Sequence, residues 1–425
     1  MAVEPPSQIA IIGAGPIGLE TALYARYLGY EVTVYEQGEV AENVLKWGHV
    51  SMFTPCGMNR SPLGVAAIDA QWPDRDSPDD ESLITGRNWV DTYLEPLSQT
   101  DLVSPSLCTQ TTVAHIGRAR TLKSDTPGSA DRQEIPFRLL LRDSQEKQST
   151  ATAEIVIDTT GTYGNPNWMG PGGIPAIGET DCSSRIDYHI PDIRLVEHER
   201  FAGKNILLIG AGYSAATSVV ALADIAEKDL DTQITWITRP RRHEAERPLP
   251  IRTIVDDVLP LRRSLTDTAN RLTKDCNQLR YWPNTTVDEV VWNHQDQHLE
   301  VTLGGEHART HRFDRIVANV GYRPDRNIYR ELQVHECYSS EGPIKLAASL
   351  LAHQGVDCLQ PPDHHPELLR NPEPNFFILG SKSYGRGSDF LFQTGLGQIR
   401  DLFRMIHGPD ELDLYDNVQA TEHRL

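Results

Sequence analysis

With 425 residues, 39% of them hydrophobic and 23% charged, the chain is ordinary globular material too long for one core, so two or three domains are expected. A formal net charge of −19 argues against nucleic acid and anionic membrane surfaces as partners, because phosphate binding needs a basic face. Cys56, Cys108, Cys182, Cys276, Cys337 and Cys358 form no C-x-x-C pair, the first eight residues lack a signal-peptide pattern, and no apolar run approaches about 18 residues. A soluble, cytoplasmic protein with reduced thiols is therefore expected.

The chain opens with an apolar run, Ile9 to Ile12, followed by Gly13-Ala-Gly15-Pro16-Ile-Gly18, a helical stretch through Tyr27, and a second apolar run, Val32 to Tyr35, that ends in Glu36. This is the order of a dinucleotide-binding turn. Gly13 permits the tight turn, Gly15 lets the backbone approach a pyrophosphate at the positive helix end, and Gly18 lets helix and strand pack closely. Glu36 stands where an acid accepts hydrogen bonds from an adenosine ribose. A glycine-rich turn in another α/β domain is the alternative, disfavoured by the acid.

An irregular stretch rich in aromatic residues, glycine and proline follows, from Lys46 to Pro62, with Trp47, Cys56, Asn59 and Ser61. Asp74 to Glu81 reads as a solvated acidic loop and Thr85 to Leu97 as a helix. Thr111 to Ala114, Phe137 to Leu141 and Ala153 to Ile157 read as strands, with Ser124 to Arg132 as a flexible hairpin tip. The last strand runs into Thr160-Gly161, a return whose glycine lets backbone pass close to a nucleotide.

Glycine and proline punctuate Met169 to Pro191 as in a linker, and Asn205 to Ile209 then restarts the opening pattern. Gly210-Ala-Gly212-Tyr213-Ser214-Ala215 carries alanine at the third glycine position, an accepted variant. The strand Ile234 to Thr238 ends in Arg239-Pro-Arg241-Arg242 instead of an acid. Guanidinium groups there suit a 2′-phosphate and favour NADPH, the alternative being a solvated basic loop. An insertion with helical character spans Arg247 to Trp282. Strands then lead to Gly321, a second return, so the two halves repeat beyond their glycine turns.

About 100 residues remain, too few for a third such unit, and they are expected to complete the first. Asn375 to Leu379 reads as a buried strand leaving through Gly380-Ser381. Phe392 to Ile406 reads as a helix with Gln393 and Thr394 at its start. Lys382 and Arg386 face either a bound ligand or solvent. Cys358, His364 and His365 lack a fourth ligand and metal spacing, so no metal is expected.

Two fingerprints, each closed by a strand-to-glycine return, with a C-terminal strand and helix, resemble the two-dinucleotide-binding-domain flavoproteins over roughly residues 8 to 407. Among them the chain is similar to flavin-containing monooxygenases and thioredoxin-reductase-like enzymes. The resemblance implies an α/β fold of two Rossmann-like domains, an NADPH domain (191–325) inserted into an FAD domain (1–190 and 326–425). It implies FAD held by Gly13, Gly15, Pro16, Gly18, Glu36, Trp47, Thr160, Gly161, Gly380, Ser381, Gln393 and Thr394. NADPH would be held by Gly210, Gly212, Tyr213, Ser214, Ala215, Arg239, Arg241, Arg242 and Gly321. Serine at 381 replaces the carboxylate that the family uses on the ribityl chain.

Without a redox cysteine pair, disulfide-reductase chemistry of the usual kind is set aside. Trp47 followed by Asn59-Arg-Ser61 resembles the monooxygenase pattern, which implies an NADPH-oxidising enzyme adding oxygen at flavin C4a and passing it to a nitrogen, sulfur or other soft centre of a small molecule. Asn59 would stand by the flavin; the alternative is an asparagine capping a turn before Pro62. The linker signature of those enzymes, Phe-x-Gly-x-x-x-His, is not intact around His189. The second reading is a flavoprotein reductase that passes electrons to a protein or organic acceptor, and the third a nucleotide-binding module. A homodimer is the default expectation.

Overall fold

The computed structural model describes residues 4–239, 249–353, 359, 365–408 and 412–416. The chain divides into two compact units. One comprises Met1–Leu45, Thr54–Asn165 and Tyr322–Leu425, the other Lys46–Phe53 and Pro166–Gly321.

The apolar runs of the first unit are buried on both faces, as a parallel sheet between covering layers requires. Its five strands lie in the order Phe376–Ile378, Ile155–Asp158, Gln8–Ile12, Glu31–Tyr35 and Leu107–Cys108, all parallel. Ile12 is opposite both Tyr35 and Asp158, so Gly13, Glu36 and Thr159 leave the sheet side by side. An antiparallel sheet of Thr111–Arg118, Phe137–Asp143 and Gln148–Ala153 precedes the return strand. It packs Ile116, Phe137 and Leu139 on Ala10, Ile12, Val156 and Phe376. The helices Pro16–Tyr27 and Phe392–His407 pack on one another, with the rings of Tyr24 and Phe403 stacked 5.0 Å apart.

The second unit repeats this plan. Its parallel sheet runs Leu279–Trp282, Gln233–Ile237, Asn205–Ile209, Arg315–Ala318 and Ile186–Asp187. Its antiparallel sheet of Thr285–Asn293, His298–Gly305 and Arg309–Phe313 again precedes the return strand. Within the stretch read as a helical insertion, Pro260–Asp275 forms the helix.

Two segments differ from the sequence reading. Met169 to Pro191 is no linker: the buried Glu179 carboxylate collects the amides of Met169 and Ala176 and the hydroxyl of Tyr188, and Ile186 pairs with the return strand. The main segment of the second unit therefore starts at Pro166, ahead of the boundary expected at residue 191. The hairpin tip is anchored too. Arg132 is buried, and with Arg118 it grips the buried Glu373 carboxylate at 2.9 and 2.8 Å.

Candidate functional site: two open glycine turns

In the first unit Gly13 adopts φ 99°, a conformation side chains disfavour. A Cβ on Gly18 would lie 1.9 Å from the Gly13 carbonyl oxygen, so this glycine is fixed by packing. Gly15 is different. It precedes Pro16 at the helix start, no side chain caps the helix, and a Cβ there would meet nothing within 4 Å. Uncapped first-turn amides beside open space suit a pyrophosphate. Glu36 holds the turn from below, accepting the amides of Ala14 at 2.8 Å and Gly38 at 2.9 Å, one on each oxygen. Each oxygen keeps a further lone pair for a ribose hydroxyl.

The return loop lies against this turn. Thr159 donates its hydroxyl to the Ile12 carbonyl at 2.8 Å, and Thr160 donates to Asp158 Oδ1 at 2.7 Å. Gly161 has φ 66°, and a Cβ on it would lie 3.3 Å from the Ser381 hydroxyl. Thr160, Gly161 and Ser381 are thus brought together. Gly380 donates its amide to Gln398, which in turn donates to Ser383, so the strand exit is stapled to the C-terminal helix. That helix starts uncapped at Phe392. Thr394 is buried, and Gln393 is exposed and donates to the Met58 carbonyl at 3.1 Å. Gly395 sets the two helices together, since a Cβ there would strike Ile17.

Lys382 is withdrawn from solvent, whereas Arg386 is exposed at the surface. Lys382 is buried with its ammonium 2.6 Å from Asp158 and 2.9 Å from the Thr160 hydroxyl, and Arg386 pairs with Glu341. Asn59 is buried and its amide is spent on a turn. Nδ2 donates to the Pro55 carbonyl at 2.8 Å and the Thr54 hydroxyl at 2.9 Å. Trp47 belongs to a segment that counts with the second unit. Cys56 is buried, and burial pushes its thiol up, which suits packing better than reactivity.

The second turn has the same construction. Gly210 adopts φ 136°, and a Cβ on it would lie 2.3 Å from the Asn319 carbonyl; Gly212 starts helix Tyr213–Ala226 uncapped, with nothing within 4 Å of its Cβ position. Tyr213 and Ser214 are half-buried at the helix start and Ala215 is fully buried, filling the third glycine position. Gly321 is exposed with φ 81°, and its carbonyl accepts the Asn167 amide. Arg239 is exposed beyond Thr238, whose hydroxyl bonds Tyr281. Arg241 and Arg242 lie outside the described residues, as do Cys358 and His364. His189 is held inside the second unit: its carbonyl accepts from Asn319, and burial, with Lys46 adding, holds its imidazole below the ordinary value.

One group was missed in the sequence. Glu20, on the first helix, is fully buried and takes the Tyr93 hydroxyl in a very short hydrogen bond. Its signal was a lone acid inside the apolar run Ile17 to Ala25.

A family profile described as pyridine nucleotide-disulphide oxidoreductase matches residues 8–43. No curated protein matches the chain. Among solved structures, the bacillithiol disulfide reductase Bdr (YpdA) from Bacillus cereus is 16% identical with a TM-score of 0.67, covering 94% of this chain and 98% of that one. The thioredoxin reductase of T. acidophilum is 15% identical with a TM-score of 0.56, covering 95% and 98%. DfoA, the FAD-bound cadaverine monooxygenase of Erwinia amylovora, is 15% identical with a TM-score of 0.60, covering 94% of each chain. Paired sheets, repeated glycine turns and these full-length likenesses agree: the chain has the two-dinucleotide-binding-domain flavoprotein fold that thioredoxin-reductase-like and monooxygenase-like FAD oxidoreductases share.

Proposed function

We propose that the chain is an FAD-dependent, NADPH-oxidising reductase that passes electrons to an organic acceptor without inserting oxygen. The observation that carries the reading is the repeated open turn. Gly15 and Gly212 each stand at an uncapped helix start with free space at the Cβ position, while Gly18 and Gly210 are closed by packing. Two such cradles in one chain are what hydride transfer between two dinucleotides needs. The residues present fit FAD in the first unit: the Gly13–Gly18 turn for the pyrophosphate, Glu36 for the ribose, and Gly161, Ser381 and the start of the C-terminal helix for the remainder. Gly210 to Ala215 with Arg239 fit NADPH in the second.

FAD held by the Gly13–Gly18 turn, Glu36, Gly161 and Ser381 would supply two-electron redox chemistry between NADPH and an acceptor. The protein's part is to hold the carriers in register and exclude water. Two observations favour the reductase over the monooxygenase. The Asn59 amide is committed to its own turn, leaving no Nδ2 hydrogen for a flavin adduct. The two bacillithiol disulfide reductases, at TM-scores of 0.67 and 0.64, also stand above the cadaverine monooxygenase at 0.60 and the ornithine N-hydroxylase at 0.58, with the thioredoxin reductases at 0.56 and 0.54 below both. The sequence has no C-x-x-C pair to serve as a redox relay.

The test is anaerobic titration of the purified protein with NADPH, followed by reoxidation with air or with a quinone or disulfide acceptor. Bleaching by one NADPH per flavin, and reoxidation faster with an acceptor than with air, support the reductase. A long-lived absorbance band between those of reduced and oxidised flavin on mixing with oxygen would overturn it in favour of the monooxygenase, and a protein that binds no flavin would overturn both.

A further inference from the structure

Behind the first glycine turn lies a buried polar cluster, Glu20 with Tyr93 and Ser61. Glu20 sits two residues past Gly18 and is completely buried. Its Oε1 takes the Tyr93 hydroxyl, and its Oε2 has no hydrogen-bond partner among the described residues. Tyr93 also accepts the Ser61 amide at 2.9 Å and lies 3.2 Å from the Ser61 hydroxyl. Ser61 caps helix Pro62–Gln71 by accepting the Gly64 amide at 2.8 Å. The neighbouring Asn59 carbonyl accepts the Trp89 indole at 2.6 Å. The loop Thr54 to Ser61 is therefore tied to the interior at two adjacent points, and one of them ends on a buried acid.

Counting donors and acceptors gives the Glu20–Tyr93–Ser61 chain two arrangements. A phenol oxygen accepts two hydrogen bonds and donates one. With Glu20 ionised, Tyr93 donates to Glu20 and accepts both the amide and the hydroxyl of Ser61. With Glu20 neutral, Tyr93 accepts from Glu20 and from the Ser61 amide and donates to the Ser61 oxygen, so the Ser61 proton is no longer committed to Tyr93. We propose that Glu20 is a positioning residue whose single proton sets the direction of the Glu20–Tyr93–Ser61 chain and, through it, the seat of the Asn59–Ser61 loop. Its effect on flavin reduction rests on the reductase reading; its effect on the loop does not.

Among the described residues no charged side chain offsets the carboxylate. The groups that face it are the hydroxyls of Tyr93, Ser61 and Tyr415. The nearby charges, Asp413 with Arg400 and Arg404, act on Tyr24 and Tyr415. Burial, only partly offset by these hydroxyls, pushes Glu20 up to about 7. Burial likewise pushes Tyr93 and Tyr415 well above the ordinary phenol value, so neither competes for the proton near neutrality.

The experiment pairs a loop readout with a flavin readout. Trp89 emission, isolated as the difference from a Trp89→Phe protein, is followed with pH, together with the rate at which NADPH bleaches the flavin. Wild type should show one transition near about pH 7 in both, the rate changing about 2- to 10-fold, the span of one ordinary hydrogen bond. Glu20→Gln, isosteric and fixed in the neutral form, should lose both transitions. Tyr93→Phe, with the acid kept and the link cut, should also lose them. A transition in Trp89 emission that survives either substitution would overturn the proposal. If the protein carries no flavin, the reductase reading fails and the Trp89 titration still decides this one.

Discussion

The Lys382 ammonium lies 2.6 Å from the Asp158 carboxylate, and both side chains are withdrawn from solvent to within 1% exposure. Its remaining hydrogens go to the Thr160 hydroxyl at 2.9 Å and toward the face of the Tyr329 ring at 5.0 Å. The pair joins the end of the return strand to the exit of the C-terminal strand, the two segments whose backbones bracket the proposed FAD site. Removing one partner of such a pair leaves an uncompensated buried charge. Lys382→Met should cost about 3–5 kcal/mol in denaturant unfolding, and Lys382→Met with Asp158→Asn should recover much of that loss. A single variant as stable as wild type would mean that the interior is wetter than the structure shows.

The glycines sort into two kinds, and substitutions should separate them. A methyl group on Gly18 or Gly210 collides with the backbone at 1.9 or 2.3 Å, so Gly18→Ala and Gly210→Ala should impair folding of their units. Gly15→Ala and Gly212→Ala meet nothing within 4 Å and should fold normally. Gly15→Ala should emerge with little flavin absorbance, because the methyl group occupies pyrophosphate space. Gly212→Ala should stay yellow, and NADPH should bleach it only at raised concentration. Full flavin occupancy in Gly15→Ala would remove that turn from the FAD site.

The glycine turns were legible because all their parts are local: strand, turn, helix, strand and acid lie within residues 9 to 36, and the second copy within 205 to 239. The buried polar contacts were not. Asp158 and Lys382 are 224 positions apart and Glu20 and Tyr93 are 73 apart, and no periodicity links such pairs. Composition also misled. The glycines and prolines of Met169 to Pro191 read as a linker because nothing local shows that Glu179 will gather the amides of Met169 and Ala176. Asn59 shows another limit of a motif: the pattern singles out the residue, and the geometry gives its amide to its own turn.

Arg239 is exposed one residue past Thr238, which follows the strand Gln233–Ile237 as Glu36 follows Glu31–Tyr35. A guanidinium there pairs with a 2′-phosphate and gains nothing from a 2′-hydroxyl. Arg239→Ala should raise KM for NADPH about tenfold while leaving KM for NADH nearly unchanged, the mark of one lost charge-assisted contact of about 1.4 kcal/mol. Equal weakening toward both coenzymes in steady-state kinetics would show that Arg239 shapes the loop and does not read the phosphate.

Two buried carboxylates of the first unit should give opposite pH dependences of stability. At Glu373 burial favours the neutral acid, but hydrogen bonds from Arg132, the Gln333 amide and Arg118 outweigh it and hold the carboxyl below its usual range. A depressed group stabilises the fold above the unfolded value, about 4.3, and that contribution disappears as pH falls through the folded value. Glu20 runs the other way. Raised to about 7, it keeps a proton that the unfolded chain releases near about 4.3, so its contribution is complete at low pH and is lost as pH rises between the two values. Glu20→Gln cannot ionise and suffers no such loss. The stability of Glu20→Gln relative to wild type should therefore grow from about pH 4.3 to about pH 7 and then level off, by an amount on the order of 3 kcal/mol. Melting temperatures of the two proteins across this range check the sign directly. A difference that shrinks with rising pH would mean that Glu20 is ionised in the folded protein and that the Tyr93 hydroxyl alone stabilises its charge.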